Sequence, residues 1–485
     1  MPSSVSRGTL KDAPPVIEAK ALPPKTLCER APILFLALGT LLVAAYALIV
    51  PPFQVPDEDR HLWRAYSVSE MHLRGPARTQ VPVSFLELNE RFPRLLETMP
   101  GKRAVRPELA RWLRQPLNEE TTAGIENPRA NLYSFVPYLT TGLVLRVGRL
   151  ARWPPLAMLY AGRLANGAVY LWLVYMSLRI LPEFQLLVLT IALTPMSLYL
   201  GASFSADSLT LGLNALFAAY VFRLAFDTRI RNVSMRDLLV LVGLLVLLAL
   251  CKFNLWTALL IALIPTEKFG SRTRAVLSIA GCALAEIAAA VMWQAFNSPA
   301  ISAFRQLDPR GPDAASNAFF VLMHPMKFFA MILLTDFWLF RYWCQEFVGA
   351  FGHAFAYGHL SNLMSWPLVL VYLGGILMAA YTRTNNVTIS RRQKWIAALF
   401  VFLTYISLHV LLWVLEAPPD FVRQATISFA PIPAIQGRYF LPLALLALIG
   451  VKRRFTLNGW WIAGAVGLIT GVNAFALRTI WLLYS

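Results

Sequence analysis

Residues 51–67, PPFQVPDEDRHLWRAYS, place three carboxylates, an imidazole and two guanidiniums directly after the first long apolar run of the chain. On a helix, Asp57, His61 and Arg64 stand at positions i, i+4 and i+7, so they share one face. A carboxylate and an imidazole can move a proton, and a guanidinium can bind an anion. The stretch therefore predicts a polar site where the chain leaves the membrane.

A structural role is the alternative for the same carboxylates. Asp57 and Glu58 follow Pro56 and suit the first turn of a helix, where negative charge favours the positive end of the helix dipole. These carboxylates follow closely on the end of the preceding apolar run, and this fixed position at the membrane boundary favours a functional role. We therefore take Asp57 and Glu58 as catalytic candidates, and His61 and Arg64 as substrate-binding candidates.

A second acidic candidate is Asp207, in the stretch LTPMSLYLGASFSADSLT. Either Ser205 or Asp207 can cap the helix that follows, which would be a structural role. The predicted position of Asp207 on the same external face as Asp57 favours a catalytic role beside it.

Three cationic residues lie at or just inside apolar segments, where an unpaired charge is costly. They are Arg163 in YAGRLAN, Lys252 in CKFN and Arg438 in QGRYFLP. A phosphate at the membrane surface is one partner that they could share, and a carboxylate or a helix C-terminus is the other. With Tyr439, which follows Arg438, they complete the set of substrate-binding candidates.

Two further polar residues stand inside apolar runs. Glu286 is flanked by alanines and suits either an ion site of a transporter or a hydrogen bond between helices. His409 is interpreted as a packed polar residue. The four cysteines show no spacing typical of a zinc site or a disulfide framework.

The composition is that of a membrane protein. Of the 485 residues, 57% are hydrophobic and only 14% are charged, and apolar runs recur at the length that spans a bilayer. The net charge of +18 is better explained by basic cytoplasmic loops than by nucleic-acid binding. The sequence therefore predicts an all-α polytopic membrane protein without a nucleic-acid partner.

The order of polar and apolar stretches predicts the topology. Residues 1–31 form a disordered cytoplasmic tail, and residues 32–485 form one transmembrane domain that begins with an uncleaved first span. An external loop covers about residues 51–157, and a second external region covers about 297–367. Residues 132–150 either cross the membrane or lie on its outer surface, and we favour the surface helix.

The placement of basic clusters gives a count of about 11 transmembrane helices, with a range of 10–13. The count follows if all later clusters are cytoplasmic. These clusters are Arg179, Arg223/Arg229/Arg231/Arg236, Lys268/Arg272/Arg274, Arg383/Arg391/Arg392/Lys394 and Lys452/Arg453/Arg454. The N-terminus is predicted to be cytoplasmic because Lys20, Lys25 and Arg30 precede the first span.

The stretch PPFQVPDEDRHLWRAYSVSE resembles a bacterial multi-spanning family known as domain of unknown function 2142. YAGRLAN, TPMSLYLGASFSADSL, CKFNLW and QGRYFLP occur in matching order, and together they cover roughly residues 32–450. The resemblance implies a multi-pass protein of the bacterial cytoplasmic (inner) membrane.

The layout is also similar, more distantly, to the GT-C glycosyltransferases, which include protein mannosyltransferases and lipid A aminoarabinose transferases. That resemblance implies that Asp57 matches the catalytic acid of the first loop, with Glu58 beside it, and that Asp207 matches a later external carboxylate. It further implies transfer of a sugar from a polyprenyl-phosphate donor to a cell-envelope glycan or lipid acceptor. With Asp57 as the base that deprotonates the acceptor hydroxyl, a single displacement would invert the anomeric carbon. A divalent cation, Mg²⁺ or Mn²⁺, shared by these carboxylates is left open.

Two other functions are consistent with the residues. A transporter or flippase for a lipid-linked or envelope precursor would use Glu286 and the break at Lys252. A scaffold for an envelope polysaccharide complex would need only the charged loops.

Overall fold

Helix α1, Pro24–Ile49, is the first element of a mostly helical fold in this computed structural model. The structure describes residues 24–98, 105–127, 129–181, 183–307, 311–352, 363–384 and 387–484. Of the predicted disordered tail 1–31, residues 1–23 lie outside the described residues. Helix α1 begins at Pro24, before the predicted start at residue 32.

The described residues form eighteen further α-helices and four short strands. The helices are α2 (Glu58–Ser69), α3 (Val83–Thr98), α4 (Val105–Trp112), α5 (Leu139–Leu150), α6 (Pro155–Ile180), α7 (Gln185–Ala192), α8 (Pro195–Gly201), α9 (Ala206–Phe226), α10 (Met235–Lys252), α11 (Arg272–Phe296), α12 (Ser298–Leu307), α13 (Ala314–Met323), α14 (Pro325–Val348), α15 (Trp366–Ala380), α16 (Arg391–Glu416), α17 (Pro419–Ile427), α18 (Ala444–Leu448) and α19 (Gly459–Tyr484). The strands are β1 (Thr79–Pro82), β2 (Thr122–Ile125), β3 (Thr382–Arg383) and β4 (Phe455–Thr456). Short 3-10 helices lie at Ala130–Leu132, Val136–Tyr138, Thr257–Leu263, Thr266–Phe269 and Gly437–Leu443.

Several helices are long and apolar enough to cross a membrane. Among the described residues there are five, and a sixth if α13 and α14, which meet at an angle of 102°, form one broken span. Pro325, the first residue of α14, fits that break because its ring is tolerated at a helix start and not inside a helix. The five are Arg30–Ile49, Ala206–Phe226, Arg272–Phe296, Arg391–Glu416 and Gly459–Leu482. The expected helical membrane fold is confirmed, whereas the count of about 11 crossings stays a prediction.

Helix α6 lies at the centre of the bundle and packs on α1, α5 and α9. It approaches α1 closely at Gly167, where an added Cβ would lie 2.3 Å from Cγ1 of Val43. Small residues permit such close contacts between helices in a membrane. We call the end of the bundle that carries residues 51–138 the loop end, and the end where α6 stops at Ile180 the opposite end.

The first loop is folded and has an apolar core of its own. Strands β1 and β2 pair antiparallel, with Thr79 opposite Ile125, and α2 and α3 pack beside them. The core contains Trp63, Phe85 and Phe92, which are buried. The all-α prediction did not include this sheet or the parallel pair β3–β4, because strands of two to four residues carry no readable periodicity.

Helix α5 covers most of residues 132–150, for which the sequence left a crossing helix and a surface helix open. It has 12 residues, so it is about 18 Å long, whereas a span needs about 30 Å. Leu139, Leu143, Val147 and Leu150 are exposed along one side, and the other side contacts α2 and α6. An apolar exposed stripe on a short helix is typical of a helix that lies in the membrane surface, as the sequence favoured.

A buried ion pair fixes the first loop to the bundle. Arg163 of α6 donates two hydrogen bonds to Glu58 of α2, from Nε to Oε1 at 2.8 Å and from Nη2 to Oε2 at 2.6 Å. The same guanidinium donates to the backbone oxygens of Ala47, Val50 and Pro51 at the end of α1. One side chain thus holds α1, α2 and α6 together at the loop end.

Removing one charge of this pair should destabilise the protein strongly. We expect Glu58→Gln to lower the free energy of unfolding by about 3–5 kcal/mol, because it leaves the Arg163 charge buried without its partner. Denaturant unfolding in detergent, followed by tryptophan fluorescence, measures the loss. The control is Glu126→Gln, which breaks the exposed pair with Arg78 in the same loop and should cost less than about 1 kcal/mol.

The double variant Glu58→Gln/Arg163→Met tests the coupling. It should cost less than the sum of the two single variants, because no lone charge remains buried. Additive losses would contradict the assignment of this pair as one unit.

Candidate active site at the loop end

Asp57 stands at the junction between the first helix and the first loop in an unusual backbone conformation. Helix α2 begins at Glu58, so Asp57 occupies the N-cap position rather than the predicted first turn, with a φ of 59°. Its side chain makes no capping hydrogen bond. The carboxylate instead lies 3.4 Å from Arg60, and half of its side-chain surface is exposed. Asp57 is therefore an accessible carboxylate on a strained backbone, a combination common at functional sites.

Asp207 meets Lys252 in an ion pair at the same end of the bundle. The Oγ of Ser205 accepts from the N–H of Asp207, so Ser205 caps α9 and leaves the carboxylate of Asp207 free for Nζ of Lys252. Lys252 is the last residue of α10, where the predicted break interrupts the helix. Both side chains are only partly exposed. Ser205 thus fills the capping role, and the catalytic role of Asp207 stays a prediction.

The segment Gly437–Leu443 brings a second cation and an aromatic ring to this pair. The ring of Tyr439 lies 5.5 Å from Nζ of Lys252 and 5.8 Å from Cζ of Arg438. Arg438 also interacts electrostatically with Asp207 and Asp57. Its Nε is buried and has no hydrogen-bond partner among the described residues. An anion at this position would satisfy that donor.

His61 completes the cluster from α2. A hydrogen bond of 2.7 Å joins its Nδ1 to the hydroxyl of Tyr138, and the rings of Tyr133 and Tyr138 lie 5.6 and 5.8 Å away. Burial lowers the pKa of His61 to about 4, although Asp207 and Asp57 act in the opposite direction. The imidazole is therefore neutral near pH 7.

Two tyrosines and a glutamate belong to the site although they were not among the sequence candidates. Tyr133 and Tyr138 flank His61, and the aromatic spacing in LYSFVPY before a surface helix was a signal for them. Glu346 of α14 accepts from the N–H of Gly437 at 2.6 Å and so holds the segment that carries Arg438. No local sequence pattern indicated Glu346, because its partner lies 91 residues away.

Three sequence candidates form structural contacts inside the protein: Glu58, Arg163 and Arg64. Glu58 and Arg163 are fully buried in the ion pair described above. Arg64 is also buried and donates to Oγ of Ser67 and to backbone oxygens of residues 72, 73, 74 and 133. Their roles in catalysis or substrate binding stay predictions, and the structure shows no donor of Arg163 that lacks a protein acceptor.

Glu286 and His409 lie outside the cluster. Glu286 of α11 is buried and interacts with Thr257 and Ala258 of the 3-10 helix that follows the break. His409 of α16 is buried, and its Nδ1 lies 2.9 Å from the backbone oxygen of Tyr405. Glu286 thus contacts a neighbouring segment, whereas the contact of His409 with Tyr405 lies within α16; Nε2 of His409 lies 3.6 Å from Oδ1 of Asp336 of α14.

The cluster does not suit a divalent cation. The described residues contain no group of three or more His, Cys, Asp or Glu side chains that could hold one. Asp207 is already paired with Lys252, and Arg438 lies nearby, so a cation would face two positive charges. We therefore derive no step through Mg²⁺ or Mn²⁺.

The comparison with known families identifies the chain at the family level. The family described as predicted membrane protein (DUF2142) matches residues 40–447, which is 408 of 485 residues. The chain belongs to this family. Comparisons with curated proteins and with solved structures gave no match. The DUF2142 description names a membrane protein and no reaction, so the function is argued from the site.

The partly buried imidazole of His61 should make the stability of this DUF2142 protein depend on pH. The pKa of His61 is lower in the folded state than the ordinary value of about 6.5, so the unfolded state binds the extra proton between pH 6.5 and 4. Stability should therefore fall as the pH is lowered through this window. His61→Gln should flatten that fall, as measured by melting temperature at each pH.

The matched control is His72→Gln, which changes an exposed histidine of the same loop. It should retain the wild-type slope. A His61→Gln variant with the wild-type slope would show that His61 is not held neutral by burial.

The close packing at Gly437 predicts a second effect. An added Cβ would lie 2.0 Å from the backbone oxygen of Trp343, so Gly437→Ala must displace the segment that carries Arg438 and Tyr439. We expect a loss of about 1–3 kcal/mol, measured by thermal unfolding. Gly464→Ala, where no heavy atom lies within 4 Å of the added Cβ, is the control. Equal melting of the two variants would contradict the packing argument.

Proposed function

We propose that this DUF2142 protein is a membrane glycosyltransferase. It moves a sugar from a polyprenyl-phosphate donor to a cell-envelope glycan or lipid acceptor at the external face of the bacterial cytoplasmic membrane. The observation that carries the proposal is the convergence of Asp57, Asp207, Lys252 and Arg438, which come from four separate segments, at the loop end of the bundle.

The cations support the binding of a lipid-linked phosphate. The cluster lies where several helices end; in the proposed topology this is the external membrane boundary, where a lipid carries its phosphate. Arg438 has a buried Nε without a protein partner, and Lys252 shares the ring of Tyr439 with it. A guanidinium and an ammonium together can neutralise the charge that develops on a departing phosphate.

Asp57 is the best candidate for the general base. It is half exposed, does not cap α2 and pairs only with the exposed Arg60 among the described residues. Its carboxylate accepts the proton of the acceptor hydroxyl while that oxygen bonds to the anomeric carbon. The bond from the anomeric carbon to the phosphate oxygen breaks, and polyprenyl phosphate leaves with the electron pair. A single displacement of this kind inverts the anomeric configuration.

The other polar residues have supporting roles in this proposal. Asp207 keeps Lys252 in place, and neutral His61 with Tyr138 forms a hydrogen-bonding wall beside the acceptor. Glu58 and Arg163 hold the loop on the bundle. No general acid is needed, because a phosphate is already a good leaving group.

A GT-C-like topology goes with this function. About 11 crossings, a cytoplasmic N-terminus and an external loop end would place the basic clusters in the cytoplasm. The charges on α6 support this orientation, since Arg179 lies near its opposite end and the paired Arg163 lies near its loop end.

A transporter or flippase is the second candidate. The 102° bend between α13 and α14 and the buried Glu286 favour it, because transporters build binding sites on broken helices near the middle of the membrane. A transporter would move the lipid-linked sugar without cleaving its phosphate bond. Release of polyprenyl phosphate therefore distinguishes the two functions.

The test uses the full-length protein in proteoliposomes. Polyprenyl-phosphate hexoses and pentoses serve as donors, and an extract of envelope lipids and glycans serves as acceptor. Asp57→Asn should lower the release of polyprenyl phosphate by a factor of about 10² to 10⁴, which is the usual contribution of a general base. The melting temperature of the variant should stay close to that of the wild type.

Asp420→Asn is the control, because Asp420 is an exposed aspartate at the start of α17, just after the loop-end terminus of α16. It should leave the release unchanged. Unchanged turnover in Asp57→Asn would refute the base assignment. Transport of donor by the wild type without release of polyprenyl phosphate would replace the transferase by the second candidate.

A further inference from the structure

A cavity of about 290 Å³ lies at the opposite end of the bundle, far from the candidate active site. Two connections form it, the one between α15 and α16 and the one between α18 and α19. The parallel pair of β3 and β4 joins the two connections, and the N–H of Leu457 donates to the oxygen of Arg383 at 2.9 Å. Four cationic side chains line the cavity: Arg383, Lys394, Lys452 and Arg453.

One of these cations, Arg453, is held by structural contacts within the protein. The side chain of Arg453 is 9% exposed, and its Nη1 lies 3.1 Å from Oε2 of the buried Glu183. Its guanidinium also contacts the backbone oxygen of Val387 and the ring of Phe184. The N–H of Thr384 donates to Oε1 of Glu183 at 2.6 Å, so Glu183 ties the connection after α6 to the wall of the cavity.

The other three cations have no neutralising partner. Among the described residues, no carboxylate oxygen lies within 4.0 Å of Arg383, Lys394 or Lys452. The described residues around the cavity provide four positive side chains and the one negative side chain of Glu183, so three positive charges remain in excess. A phosphate group, with a full charge and several acceptor oxygens, is the ligand that such a lining fits.

Two exposed tryptophans indicate the depth of the cavity. Trp395 begins the apolar part of α16 and Trp460 begins that of α19, and they are 74% and 83% exposed. Tryptophan is enriched at the level of the lipid headgroups, where its ring is apolar and its N–H meets water. Basic cavities between membrane helices at this level are typical binding sites for anionic headgroups.

We propose that this cavity binds a phosphate group, as carried by the headgroup of an anionic phospholipid. The occupied leaflet is the one opposite the candidate active site. The three unpaired cations bind the phosphate, and Arg453 with Glu183 holds the cavity in shape. Binding ties the two connections together, so it should stabilise the protein whether or not the glycosyltransferase proposal is correct.

The experiment measures ligand-dependent melting of the full-length protein in detergent. Phosphatidylglycerol, phosphatidylcholine and inorganic phosphate are added separately, and native mass spectrometry counts bound lipid. Phosphatidylglycerol should raise the melting temperature of the wild type, and phosphatidylcholine should not. The variant Arg383→Gln/Lys394→Gln/Lys452→Gln should lose this effect. Each cation removed should weaken the affinity about fivefold, which corresponds to about 1 kcal/mol.

The matched control is Arg231→Gln/Arg236→Gln/Arg272→Gln. It removes the same charge from exposed residues at the same end, outside the cavity, and should retain the response to phosphatidylglycerol. Should the first triple variant fail to fold, Lys452→Gln alone is compared with Arg231→Gln by native mass spectrometry.

Each result decides the proposal. A response to phosphatidylglycerol that depends on the cavity residues supports a lipid headgroup. An equal, residue-dependent response to inorganic phosphate supports the site and assigns it to a soluble phosphate. If both triple variants lose the response to phosphatidylglycerol equally, or if neither loses it, the response reflects a general attraction of the basic surface. Either result would overturn the proposal.

Discussion

The buried pair of Glu58 and Arg163 is the interaction on which the loop end depends. Taking two charges out of water is costly, and the cost is offset here because each partner satisfies several groups at once. Arg163 donates hydrogen bonds to the backbone oxygens of Ala47 and Val50 at the end of α1. Glu58 accepts hydrogen bonds from the backbone N–H groups of Phe53 and Phe204. These bonds fix the exit of α1, the start of α2 and the approach to α9 relative to one another. Asp57, next to Glu58, is placed as a consequence.

The two ends of the bundle carry different kinds of charge. At the loop end, carboxylates and cations lie close together. The pair of Asp207 and Lys252 lies near Arg438, whose buried Nε has no hydrogen-bond partner among the described residues. Such a mixture can bind an anion and also accept a proton. The cavity at the opposite end is lined by four cations, and among the described residues Glu183 is the carboxylate paired with one of them. That composition can bind an anion.

The structure brings several of the sequence candidates together at the loop end and pairs others within the protein. Asp57, Asp207, Lys252 and Arg438 were recognised because charge next to an apolar run is costly and therefore conspicuous. The same criterion selected Arg163, whose partner proved to be Glu58 rather than an external ligand. A charged residue inside an apolar segment predicts that a partner is present, but the sequence does not identify that partner. Ser205 illustrates the same limit, since either it or the neighbouring aspartate could have capped α9.

The sequence alone determined the helical membrane fold, because hydropathy and charge are local properties of the chain. The tertiary structure decided which charges pair, how the 437–443 segment meets α10 through Tyr439, and how β3 and β4 close a basic cavity. These contacts join residues that are tens to hundreds of positions apart. Their formation depends on how whole helices pack, and no local pattern of residue types records that packing.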